Sequence, residues 1–367
     1  MPTFCRHNRF IERCPICARD LPELAGAARE AGSAARPRAA RKPGAGAPRA
    51  LRERGGRGEH VRVRRQERAS SDGYASALLP GVHSSADAQR LAQEMAFANG
   101  RLLVLAAQPP GLYGELRELA ANDLERATWG CFLAAYLSPL EPGAEGEESF
   151  AGIREALSAD VPRELPDLEG IALGPRSSHE RARGNETLEA YVQWAQRGGA
   201  PGAAAPAPAG QVAAGQAEDG ARQSVPAMRQ AEAFRGDPSW TPERRFQRLY
   251  ERLALPGFGR AGRYELLVLL GRLGLYELRA DSLALAGARG AAGEDLTGEG
   301  AKRVFAIGDP LLLERRAAAL ARAAGVPVEA LDLALANWAA GERASLGVPA
   351  DACDEATLER ARTALGL

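Results

Sequence analysis

Three of the five cysteines fall within the first seventeen residues beside a histidine, in the run Cys5-Arg-His7-Asn-Arg-Phe-Ile-Glu-Arg-Cys14-Pro-Ile-Cys17. The Cys14-Pro15-Ile16-Cys17 spacing suits a tight turn that points two thiolates at one ion. Cys5 and His7, two apart on an extended segment, face the same side and complete a tetrahedral set. Four such ligands with no open position suggest structural zinc, which supplies folding energy to a segment without a core of its own. A redox CxxC pair or a free dithiol competes with this reading, but the redox motif requires a preceding strand and a following helix, and neither is legible here. Cys131 lies in an apolar segment and reads as a small buried hydrophobe.

A second constellation runs from 241 to 285. Thr241 can cap a helix with Pro242 at its first position, and Phe246, Leu249, Tyr250 and Leu253 form an i, i+3, i+4, i+7 stripe. Then come Leu255-Pro256-Gly257-Phe258-Gly259 and an apolar helix with Tyr264, Leu266, Leu267, Leu269 and Leu270. The glycines permit positive φ and, lacking Cβ, let the backbone approach a phosphate closely. The second helix presents unpaired N–H groups to that anion, with Arg260 and Arg263 at the same end. Leu255, Pro256, Gly257, Phe258, Gly259, Arg260, Gly262 and Arg263 are therefore the candidate DNA contacts. The run resembles the helix-hairpin-helix motif, whose hairpin usually reads LPGxG. A simple glycine-closed corner is the competing account.

Beyond the second helix the chain reaches Ala280-Asp281-Ser282. The spacing is similar to that at which helix-hairpin-helix DNA glycosylases place their catalytic aspartate. That resemblance implies that Asp281 aims at the sugar of an extruded nucleotide. A carboxylate suits the chemistry, because breaking an N-glycosidic bond develops oxocarbenium character that a nearby anion stabilises while orienting water. The alternative role for Asp281 is a helix N-cap. Strand-nicking relatives carry a hairpin lysine for Schiff-base chemistry where this chain has Ala261. Only Lys42 and Lys302 exist in the whole sequence. Base excision without lyase activity is the expectation, and with the iron–sulfur cysteines of some relatives also missing, zinc is the one metal expected.

Around these constellations the chain reads as all-α. Ser85 to Asn99 is expected to be a helix stopping at Asn99-Gly100, and Asp123 to cap a centrally buried helix. Helices are also expected near 150–158 and 186–197, from Asp309-Pro310 to Gly325, and over 327–339. Only Val61–Val63 shows strand character. The organisation read from composition is a zinc segment at 1–18, a disordered basic linker at 19–72, and a helical domain at 73–367 with a flexible insertion at 198–222. Net charge is zero over 367 residues, yet residues 29–68 hold thirteen Arg and Lys against four Asp and Glu. That arm is either a solvated spacer or a phosphate-tracking segment. No apolar run approaches the twenty residues of a membrane span, and no secretory signal opens the sequence, so a cytoplasmic protein is expected.

CRHNRFIERCPIC, DLERATWGCFLAAYLSPLEP (123–142) and LPGFGRAGRYELLVLLGRLGLYELRADSL (255–283) together resemble the α-glutamyl/putrescinyl thymine pyrophosphorylase clade 3 family, a branch of the helix-hairpin-helix glycosylase superfamily. The resemblance implies an enzyme that excises a modified pyrimidine from DNA, and a monomer is the expectation. Glucosylated 5-hydroxymethylcytosine of phage DNA is the foremost candidate, with abasic sites as an anti-phage product. The family name implies instead a transferase acting on 5-hydroxymethyl pyrimidines, and a non-catalytic DNA-binding module is the third alternative. Trp129, Phe132 and Tyr136 are candidates to stack on a flipped base, although an aromatic stripe on a buried helix is more often core. If the 29–68 arm tracks phosphates, deleting it will make the dependence of log Kd on log salt concentration shallower. A slope unchanged by the deletion removes the arm from the DNA.

Overall fold

Capping signals in the sequence convert directly into helix starts. Asp123 accepts from the Arg126 N–H at 2.9 Å, Thr241 from Arg244 at 3.3 Å, and Asp309 from Leu311 and Leu312 at 2.9 and 3.0 Å. Pro242 and Pro310 occupy first-turn positions where no N–H is needed. The computed structural model describes residues 70–138, 150–159, 161, 163–171, 173–199, 227–288, 295–349 and 351–367. These all lie within the unit Arg64–Leu367. The proposed zinc segment, nearly all of the basic linker, Val61–Val63 and residues 200–222 of the insertion lie outside the described residues.

Every regular element among the described residues is helical, as expected. One set comprises α1 (Ser85–Ala107), α9 (Leu296–Phe305), α10 (Pro310–Ala324), α11 (Val328–Ala340) and α12 (Glu355–Leu365). The other comprises α2 (Leu112–Leu119), α3 (Leu124–Leu137), α4 (Ala151–Leu157), α5 (Glu186–Gln196), α6 (Gln230–Arg235), α7 (Pro242–Arg252) and α8 (Arg260–Arg272). α11 packs on both α1 and α9, while α3 packs on α8 at the centre of the second set. Every residue from Ala127 to Leu137 is buried, which is why that helix is apolar on all sides. α1 meets α8 across the seam between the sets, where Arg101 pairs with Glu265 inside the core. The 3-10 turn Leu285–Ala288 also bridges the seam, packing on both α8 and α10.

One expected boundary is wrong. The helix from Ser85 does not stop at Asn99-Gly100 but runs 23 residues to Ala107. Asn99 is buried, and its amide donates to Asp354 at 3.1 Å and Thr357 at 3.0 Å. A Cβ on Gly100 would collide with the Ala352 carbonyl oxygen, so this glycine serves close approach of the segment before α12 rather than helix termination. Leu79-Pro80-Gly81 likewise packs on α9, Gly81 donating to Val304 O at 2.9 Å, and His83 is an exposed loop residue. Gly100→Ala is expected to lower stability by about 1–3 kcal/mol through overpacking. Gly308→Ala, with open space around it, should leave the urea midpoint unchanged; equal midpoints for the two variants would contradict the close-approach account.

Candidate active site at the seam between the helix sets

The loop that follows α8 is held at almost every residue except the one expected to do chemistry. Ala280 N–H donates to Glu329 Oε1 at 2.8 Å, while Leu283 and Leu285 N–H each donate to Glu314 at 2.7 Å. The Ser282 carbonyl accepts from Tyr264 Oη at 2.9 Å, and the Leu283 carbonyl from Arg260 Nη1 at 2.9 Å. Glu329 is buried and paired with Arg272, so it can serve as a fixed acceptor. Ala284 adopts a left-handed conformation at φ 53°, a modest strain that the surrounding bonds enforce. Hydrogen bonds to charged groups are worth about 1.5–3 kcal/mol each when one partner is buried, so the loop is rigidly set.

Asp281 is exposed in the middle of this loop, and its carboxylate has no hydrogen bond or ion pair among the described residues. It caps no helix, since the next helical turn begins only at Leu285. The N-cap alternative is thereby removed. Asp281 borders an open groove of about 550 Å³ whose floor is Ala280, Ala318, Ala321, Val326 and Val328, with Arg315 and Arg322 of α10 also lining it. A fixed, unpaired carboxylate bordering an open groove can stabilise a cationic sugar and orient water.

A tight glycine-containing turn joins α7 and α8. Phe258 N–H donates to Leu255 O at 3.1 Å, Gly257 sits at φ 70°, and Thr187 Oγ1 donates to the Pro256 carbonyl at 2.9 Å. Pro256 is exposed, Leu255, Gly257 and Gly259 are half-buried, and Phe258 and Gly262 are buried. A Cβ on Gly262 would meet Ser178 Oγ at 2.5 Å and the Phe258 ring at 2.7 Å. Gly259 caps α8 without a side-chain hydrogen bond to its first-turn N–H groups.

The two arginines expected to add charge there turn inward, which corrects the sequence reading. Arg260 is 1% exposed and pairs with Asp332 at 2.7 Å and Asp295 at 2.9 Å. Arg263 stacks over Tyr250 at 4.4 Å from the ring centroid and donates to the Tyr250 carbonyl at 3.3 Å. Any phosphate grip here therefore rests on backbone N–H groups.

The aromatic candidates are also corrected. Trp129, Phe132 and Tyr136 are 2%, 0% and 1% exposed, and Phe132 stacks on Tyr191 with centroids 3.6 Å apart. Phe258 of the hairpin meets Phe132 edge-on at 5.3 Å, so the stripe is a core spine tying α3 to the hairpin. The rings of all three candidates are taken up by packing, and of the three Trp129 also borders an open pocket, beside Asp123, Glu125 and Arg126. Tyr136 Oη bonds His179 Nδ1 at 2.9 Å; burial and then Arg181 hold this imidazole below its ordinary pKa. Glu314, Glu329, Arg315 and Arg322 were missed entirely. Asp332, an acid inside the apolar run Val328–Ala340, was the one signal in the sequence for the buried cluster.

Residues 230–343 match the alpha-glutamyl/putrescinyl thymine pyrophosphorylase clade 3 family. The match supports the assignment that the motifs suggested, and it spans α6 through α11, hence the hairpin, the Asp281 loop and the groove. The pyrophosphorylase description points to an enzyme that acts on modified pyrimidines. No curated protein and no solved structure matches the chain. No helix among the described residues is long and apolar enough to cross a membrane.

Because Arg260 is core and not surface, Arg260→Met should cost about 3–5 kcal/mol by leaving buried carboxylates under-compensated. Urea unfolding measures this, and an unchanged midpoint would return Arg260 to the DNA-facing side.

Proposed function

We propose that this protein is a monofunctional DNA glycosylase for a modified pyrimidine, with glucosylated 5-hydroxymethylcytosine of phage DNA as the best candidate base. The observation that carries the reading is Asp281: an exposed carboxylate with no partner among the described residues, fixed by bonds from Glu329, Glu314, Tyr264 and Arg260 to its neighbouring residues. In this mechanism the hairpin backbone holds a phosphate and the target nucleotide swings out of the stack into the groove. The C1′–N1 bond breaks and its electron pair leaves with the base. Asp281 stabilises the resulting oxocarbenium charge and orients the water whose oxygen bonds to C1′. One water proton goes to the departing base, possession of the other stays with the new hydroxyl, and the product is an abasic site. Ala261, at the hairpin position where a lyase lysine would stand, and the exposed α9 position of Lys302 support hydrolysis without strand cleavage.

The same proposal includes structural zinc on Cys5, His7, Cys14 and Cys17, a monomeric cytoplasmic protein, and phage restriction as the role. The family description favours one second reading, a transferase that replaces an activated group on a 5-hydroxymethyl pyrimidine and leaves the glycosidic bond intact.

Wild type and Asp281→Asn should be incubated with DNA carrying cytosine, 5-hydroxymethylcytosine or its glucosylated form, then heated in alkali. Alkali-dependent breaks on the glucosylated DNA, reduced about a hundredfold or more by the substitution while DNA binding persists, are expected. Intact strands together with a nucleoside mass shift would establish the transferase instead, and neither change would leave a binding module.

A further inference from the structure

An exposed carboxylate is a poor neighbour for DNA, because the backbone it must approach is itself anionic. The groove around Asp281 holds two cations, Arg315 and Arg322, and both are exposed with no carboxylate partner among the described residues. The buried arginines are committed instead: Arg101, Arg176, Arg245 and Arg260 each pair with an acid from inside the protein. Seven residues separate Arg315 and Arg322, so they lie on one face of α10, with Ala318 between them on the groove floor. At 1.5 Å rise per residue their Cα atoms are about 10.5 Å apart along the helix. That span suits guanidinium forks reaching phosphates on either side of a single nucleotide.

α10 is also the helix that fixes the Asp281 loop. Glu314 accepts from Leu283 and Leu285, and Arg315 is the next residue. The register between carboxylate and cations is therefore set within one rigid element. We propose that Arg315 and Arg322 form a phosphate clamp that holds the DNA backbone on both sides of the nucleotide presented to Asp281. They offset the repulsion between Asp281 and the strand, giving the groove a local charge of plus one. The clamp stands in for the charge that Arg260 and Arg263 do not bring to the hairpin surface. It rests on the reading that the groove receives DNA.

The test uses the full chain and a duplex containing one tetrahydrofuran abasic-site analogue, with binding measured across a salt series. The Arg315→Gln/Arg322→Gln variant should show a log Kd against log salt slope shallower by about 1.8, at about 0.9 per lost phosphate contact. Arg362→Gln on α12, which removes a half-buried guanidinium paired with Glu359 and outside the groove lining, should leave the slope unchanged. Circular dichroism confirms folding, since surface substitutions of this kind shift stability by only about 0.5 kcal/mol or less. Salt-dependent binding with the slope unaltered in the double variant overturns the clamp while leaving DNA as the substrate. A wild type without salt-dependent binding overturns both the clamp and the DNA reading. Inorganic pyrophosphate is the other source of the same chemistry. Competition by it at constant ionic strength, abolished by the double substitution, would assign the groove to a small phosphate compound and also overturn the clamp.

Discussion

The buried carboxylate of Asp332 is the point on which the site depends. It is 2% exposed, lies inside the apolar helix α11, and receives Arg260 from α8, Arg176 from the 174–180 segment and the hydroxyl of Thr297 from α9. Burial pushes its carboxyl pKa up, but the two guanidinium groups outweigh that and hold it below the ordinary aspartate value. An isolated charge here would be prohibitive, and the pairings make it a three-way joint instead. Through Arg260 the joint reaches the Leu283 carbonyl beside the catalytic candidate. Through Arg176 it anchors the segment whose Ser178 N–H bonds the Tyr136 carbonyl at 2.9 Å and whose hydroxyl lies over the hairpin glycines. Hairpin and Asp281 loop are thus referenced to the same buried anion.

This arrangement explains why the hairpin's arginines turn inward. A guanidinium has five donors in a planar fork and can satisfy a carboxylate and a carbonyl at once. Arg260 uses that capacity to bond two acids and one backbone oxygen. A lysine, as a point charge, could not span the same three acceptors. The cost is that the hairpin face is left with backbone N–H groups for anion contact, and cationic surface near Asp281 has to come from another helix.

Much of the scaffold is legible in the sequence because helix starts are local chemistry. Asp123, Thr241-Pro242 and Asp309-Pro310 each cap where a side-chain oxygen meets an N–H two or three residues on, and Gly325 ends α10 in the left-handed conformation. Asn99-Gly100 misleads because the reason for that glycine is a carbonyl some 250 residues away in the chain. α9 and α12 escape notice since each buries few large side chains; α12 sets only Thr357, Ala361 and Leu365 inward. Asp281 is found through its distance from the hairpin, whereas Glu314 and Glu329 are not, because they bind backbone amides that are 29 to 49 residues distant in sequence. Whether an arginine faces in or out leaves no local trace either.

The pattern of spending bears on which role Asp281 has. Three carboxylates, Glu314, Glu329 and Asp332, are committed to fixing a six-residue loop directly or through Arg260, and Ala284 is held at positive φ within it. A loop needed only to connect α8 to α9 requires none of this, since surface connections tolerate variation and are stabilised by water. The effort is understandable if the loop's one free carboxylate must stand within a fraction of an ångström of a reacting carbon. Asp281 is the one acid in residues 280–285, and its carboxylate has no cap or arginine partner among the described residues. Rigid support around an exposed, unpaired carboxylate is what preorganisation requires, and here α10 and α11 supply it through Glu314 and Glu329.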